Sequence, residues 1–137
     1  MVSHPIVGKV VVIKGFALME IDSWVVKLEM GSPVYEGSVL VTQKNSSIQI
    51  RFHDSALLSQ SANSRLCVDK YVYDPNNREN ANLLFDFNKG SFRFKKGHIG
   101  DNQSDKLSIR TPTTLMGIRG TGFSVDIGPD GEKIELL

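Results

Sequence analysis

The groups in this chain able to activate a substrate or hold a metal are three histidines, His4, His53 and His98, one thiol, Cys67, and scattered carboxylates. The histidines are widely separated and none has metal-ligand spacing to another. A single thiol forms no internal disulfide and no multi-cysteine metal site. His53-Asp54-Ser55 brings triad residue types together, but neighbours on an extended chain point to opposite faces and cannot line up as a relay. Asp126, Asp130 and Glu132 surround Gly128-Pro129-Asp130-Gly131 without the ligand spacing of a calcium loop, and Pro-Asp-Gly is itself a turn signal. Gly117-Ile118-Arg119-Gly120 lacks the Gly-Lys-Ser/Thr ending of a phosphate loop and opens no helix. The expectation is a protein with no catalytic residues, metal or cofactor.

At 137 residues the chain is long enough to bury its own core as one domain. Sixteen Lys and Arg against fifteen Asp and Glu leave a net charge of +1, which argues against nucleic acid and anionic membranes as partners. No apolar run approaches membrane-helix length, so no membrane insertion by this segment is expected. Residues 1–8 lack the basic and long apolar regions of a secretory signal.

Two-residue alternation runs through the chain and helix signals are scarce. Residues 6–13 are β-branched and bounded by glycines. Phe16, Leu18 and Glu20 continue into a second strand, and Trp24 to Leu28 form a third, with Trp24 expected in the core. Val39-Leu40-Val41 and the alternating Ile48, Ile50 and Phe52 flank a polar turn and read as a hairpin. Tyr71 to Tyr73 and Leu83 to Phe87 flank Pro75 to Asn80 as another. Phe85, Phe87, Phe92 and Phe94, separated by Gly90, are expected to pack from two adjacent strands onto one face. Arg93, Lys95 and Lys96 would then be a solvated face, since little else nearby in sequence is basic. The architecture predicted is all-β: a compact sandwich or short β-roll-like stack of about ten short strands.

These elements are organised around residues 108–127, which read as strand, elbow, strand. Pro112 interrupts the ladder, glycines crowd the elbow, and Phe123, Val125 and Ile127 resume the alternation. Thr111-Pro112, followed by Gly117-Ile118-Arg119-Gly120-Thr121, then Phe123 and Val125, resembles the signature of the FecR domain, named after the periplasmic regulator of iron dicitrate uptake. Upstream, Gly8 to Gly15, the Gly31, Val34, Gly37, Val39-Leu40-Val41-Thr42 series and Ile48 to Phe52 resemble the family's opening strands, so the resemblance extends over nearly the whole chain. At Asp54-Ser55 this sequence departs from the family's frequent Asp-Gly turn.

The resemblance implies a non-enzymatic, extracytoplasmic module, periplasmic or secreted, that relays a signal or holds neighbouring domains through protein contacts. On this reading residues 1–137 are one domain of a longer protein. A large secreted adhesin, with similar openings and no cleaved signal, is the alternative setting. A ligand-binding domain would need exposed aromatics, for which Trp24, Tyr35, Tyr71 and Tyr73 are the candidates. Thr111, Pro112, Gly117, Arg119, Gly120 and Thr121 are expected to build the elbow. Arg119 either ties it by donating to backbone carbonyls or meets an acidic partner, and its flanking glycines favour the first. Residues 133–137 form the second arm of a hairpin, with Ile134 and Leu136 on a predicted open edge able to accept a partner's strand.

Overall fold

The computed structural model describes residues 4–77 and 79–137, and every regular element in them is a strand. Thirteen strands form one curled sheet. They are β1 (Ile6–Lys14), β2 (Ala17–Ile21), β3 (Trp24–Lys27), β4 (Pro33–Tyr35), β5 (Val39–Thr42), β6 (Ser47–Phe52), β7 (Leu57–Gln60), β8 (Arg65–Val72), β9 (Asn82–Lys95), β10 (Lys106–Arg110), β11 (Leu115–Gly117), β12 (Gly122–Gly128) and β13 (Gly131–Leu136).

The pivot is β9. Its first half pairs antiparallel with β8 and parallel with β10, and its second half pairs antiparallel with β7 and β12. Two half-sheets therefore share one strand: β4-β1-β6-β7-β9-β12-β13 and β3-β2-β5-β8-β9-β10-β11. The change of direction falls at Gly90, where φ is +101° and a Cβ would stand 1.9 Å from Ser64 Oγ. Only glycine combines that dihedral with that approach.

The inward residues of both halves meet in one core. Phe85 and Phe87 come from one side of the bend, Phe92 and Phe94 from the other, and all four are buried. Phe87 meets Phe92 at 4.5 Å between centroids, Phe85 meets Phe94 at 5.2 Å, and Phe123 of β12 stacks on Phe94 at 5.1 Å. A buried amide links the halves: Gln60 of β7 donates through Nε2 to Leu40 O of β5 and to Ser64 O, both at 3.1 Å.

Several expectations change. The four phenylalanines do pack together, but they lie on one strand bent at Gly90 rather than on two. The β8–β9 hairpin forms, with Tyr71 opposite Leu83. The β5–β6 hairpin does not: β5 pairs with β2 and β8, whereas β6 pairs with β1 and β7. The intervening turn carries the chain between half-sheets and is held by Phe16 N–H donating to Ser46 Oγ at 2.8 Å. Trp24 is not in the core but 70% exposed, because β3 is an edge strand. A register shift between Val68 and Lys70 turns Tyr71 inward and leaves Val72 exposed. Ser55 adopts φ +75° in the turn where the family often has glycine.

Candidate functional site

The elbow is more elaborate than a bend between two strands. After β10 the chain turns through Thr111–Thr114, returns as β11 alongside β10, and then reaches the far end of β9 to begin β12. Thr111 is buried and organises the turn. Its N–H donates to Thr114 O at 2.8 Å, and its Oγ1 accepts from Thr114 N–H at 3.1 Å. The same hydroxyl donates to Glu132 Oε1 on β13, and Thr113 Oγ1 donates to that oxygen at 2.8 Å. At the other end of β13, Thr121 Oγ1 donates to Leu137 O at 2.9 Å. Elbow threonines thus hold the terminal strand at both ends.

The remaining signature residues divide by role. Pro112 is exposed at the tip, where its missing N–H costs no ladder bond. Gly122 is the close-approach glycine, since a Cβ there would lie 2.1 Å from Phe94 O, while Gly120 has φ +129°. Gly117 has neither constraint: its φ is not positive and a Cβ would meet nothing nearer than 4.0 Å. Arg119 differs from the preferred expectation, being exposed and without a hydrogen bond or ion pair, so the elbow closes without its guanidinium.

Leu137 N–H donates to Gly122 O at 2.9 Å. Antiparallel alternation therefore turns the N–H and C=O groups of Ile134 and Leu136 away from β12. Among the described residues no strand pairs with that rim. Ile134 packs partly against the core, whereas Leu136 is 56% exposed. On the outer face Lys133 Nζ and Glu135 Oε1 form an ion pair at 2.9 Å. The other edge strands differ in character. β4 and β11 have three residues each, and β4 begins with a proline. β3 has four, with Trp24, Val25 and Val26 all exposed.

The chemistry-bearing groups take structural places. Asp54 is fully buried and accepts from the Tyr71 hydroxyl at 2.8 Å and Ile99 N–H at 2.9 Å, while His53 and Ser55 are exposed and join no relay with it. Burial, and then the Asp54 carboxylate, push the Tyr71 hydroxyl above its ordinary range. His4 faces Asp22 at 3.2 Å and His98 faces Asp101 at 3.1 Å. Among the described residues no three His, Cys, Asp or Glu side chains gather as metal ligands. Cys67 lies on β8, its thiol pushed up to about 11 by burial and by the carboxylates of Asp69 and Asp86. Glu132, weighed in sequence as a calcium ligand, is instead the acceptor of the elbow. Only its position beside Asp130 drew attention, and the reach to Thr111 spans two half-sheets.

The geometry defines an all-β module in which a glycine-rich elbow braces a terminal edge strand. Residues 38–137 match the family described as FecR protein, and the chain belongs to that family. The match begins just before β5, so the resemblance suggested for residues 8–37 lies outside it. No curated protein and no solved structure matches the chain.

Proposed function

We propose that this FecR-family domain is a non-enzymatic interaction module, working outside the cytoplasm, that receives a strand from a partner protein or a neighbouring domain along β13. The observation that carries the reading is the rim of Ile134 and Leu136. Its backbone groups face away from β12, and elbow threonines hold the strand at both ends. A pre-ordered strand loses little entropy on pairing, and main-chain hydrogen bonds then supply affinity while alternate side chains supply selectivity. Exposed Leu136 gives an incoming strand apolar surface to cover.

The test is sedimentation velocity of the domain over a concentration series, with and without Glu135→Pro. The open rim should make the unmodified domain self-associate, and proline should abolish this by removing a backbone donor and distorting the strand. A domain that stays monomeric at high concentration, with the amides of Ile134 and Leu136 already protected from exchange, would refute the proposal.

A further inference from the structure

The outer face of the half-sheet containing β1, β6, β7 and the second half of β9 carries charge that the sequence disperses. Cross-strand register sets Lys9 opposite Arg51, Arg51 opposite Leu57, and Leu57 opposite Lys95. Arg93 follows one pleat along, opposite Ser59. These four cations are exposed and none forms an ion pair. The other outward residues of β1, β6 and β7 along these pairings, among them Val12, Gln49 and Ser59, include no carboxylate; beyond β9 on the same face, Asp126 of β12 lies opposite Ser91 and Glu135 of β13 is held by Lys133. The opposite half-sheet balances its charges instead, pairing Glu20 with Arg65 at 2.7 Å and Arg110 with Asp69 at 3.4 Å. A net charge of +1 therefore conceals a row of four like charges across β1, β6 and β9. Lys96, grouped in sequence with Arg93 and Lys95, is not part of it, because its ammonium is held by Asp101.

Two hollows open on this face. One, of about 280 Å³, has Leu57 and Leu137 beside Arg93 and Lys95. The other, of about 410 Å³, has Ile6 and Pro33 beside Lys9 and Arg51. Each joins two cations to apolar walls. Neither presents a phenylalanine, tyrosine or tryptophan ring for stacking a base or sugar: Phe52 and Phe94 lie beneath them with their rings in the core, and the one exposed aromatic ring is the His53 imidazole at the second. Lys9 and Lys95 are three strand spacings apart, or about 14 Å, which an extended chain covers in about four residues.

We infer that this face binds an extended acidic polypeptide segment running across the strands, with apolar side chains four residues apart entering the two hollows and carboxylates two residues to either side of each, on the same face of the segment, meeting Lys9, Arg51, Arg93 and Lys95. The inference rests on the interaction-module reading but uses a different surface from the β13 rim. Paired cations at each hollow favour carboxylates on both sides of an apolar residue, and arginine receives them bidentately. The apolar walls distinguish such a segment from a polyanion attracted by charge alone.

The probe is the fluorescein-labelled peptide Glu-Ser-Leu-Ser-Glu-Ser-Leu-Ser-Glu, followed by anisotropy as the 137-residue chain is added. Saturable binding is expected. Arg93→Gln with Lys95→Gln should weaken it about tenfold or more, as should Lys9→Gln with Arg51→Gln, at unchanged melting temperature. The charge-preserving pair Arg93→Lys with Lys95→Arg should retain most of it, and a peptide with Gln for every Glu should not bind. No binding, or binding by either double variant as tight as by the unmodified chain, would overturn the inference. So would tighter binding to phosphatidylglycerol vesicles or to an oligothymidylate, which would assign the face to lipid or nucleic acid. Glu135→Pro is carried in parallel: peptide binding kept while self-association is lost attributes the two functions to separate surfaces.

Discussion

Replacing Thr111 by valine keeps the volume of a buried residue while deleting the buried hydroxyl that joins the elbow to the terminal strand. That hydroxyl donates to the Glu132 carboxylate and accepts the Thr114 N–H at 3.1 Å. A hydrogen bond to a charged group is worth about 1.5–3 kcal/mol. The lower end, about 1.5 kcal/mol, applies because Glu132 is half-exposed and keeps the Thr113 donor at 2.8 Å. The Thr114 N–H, half-exposed and able to find water, adds about 0.5–1 kcal/mol. The sum, about 2–2.5 kcal/mol, corresponds to a melting temperature about 6–10 °C lower for a domain of this size. Differential scanning calorimetry reads the shift, and hydrogen exchange locates it: Lys133 and Glu135 amides should exchange faster while those of β6 do not change. Thr113→Val, at an exposed position, should cost about 0.5 kcal/mol or less. A Thr111→Val loss below about 0.5 kcal/mol, or a Thr113→Val loss as large, would refute the argument that Thr111 braces β13.

Three further outcomes follow from individual side chains. Tyr71 has its hydroxyl raised by burial and by Asp54, so its contribution is fully present below the ordinary tyrosine value and is lost as pH climbs past it. Stability should fall by about 1.4 kcal/mol per pH unit above about pH 10 in denaturant titrations, and Tyr71→Phe should flatten that slope; an equal slope in the variant would contradict the assignment. Alkylation of Cys67 by iodoacetamide should still be accelerating at pH 10, since its thiol is pushed up to about 11; a rate that levels off near pH 9 would show an ordinary, freely solvated thiol. Trp24, 70% exposed, should emit like indole in water, be quenched by acrylamide, and shift little on unfolding, whereas a blue-shifted native emission would place it in contact with other side chains.

How much of this was legible in the sequence depends on whether a feature is local. Alternation located β6, because Ile48, Ile50 and Phe52 all face the core, and it located the phenylalanine cluster of β9. Alternation does not encode which strand lies alongside. Consecutive β5 and β6 read as a hairpin but belong to different half-sheets, and β9 read as two strands because Gly90 resembles a turn. Trp24 was misplaced because its size argues for burial, a rule that fails on an edge strand with nothing packed over it. Arg119 was given carbonyl partners on the strength of neighbouring glycines, yet Gly117 has open space around it. The hairpin of β12 and β13 could be read from the Pro129-Asp130-Gly131 turn between them. The brace from Thr111 to Glu132 and the cationic row from Lys9 to Lys95 could not, since each joins residues brought together only by the closed sheet.

The sharing of β9 also dictates the order in which the chain becomes structured. Until residues 82–95 are available, β7 and β8 each lack the neighbour that closes them, and the earlier strands pair as two patches joined by side-chain contacts such as the Gln60 amide rather than by a ladder. The chain must gather long-range pairings nearly at once, a route that is slow and exposes unpaired edges meanwhile. During synthesis the interval before residues 82–95 appear is therefore the vulnerable one for this domain, and the arrival of one bent strand ends it.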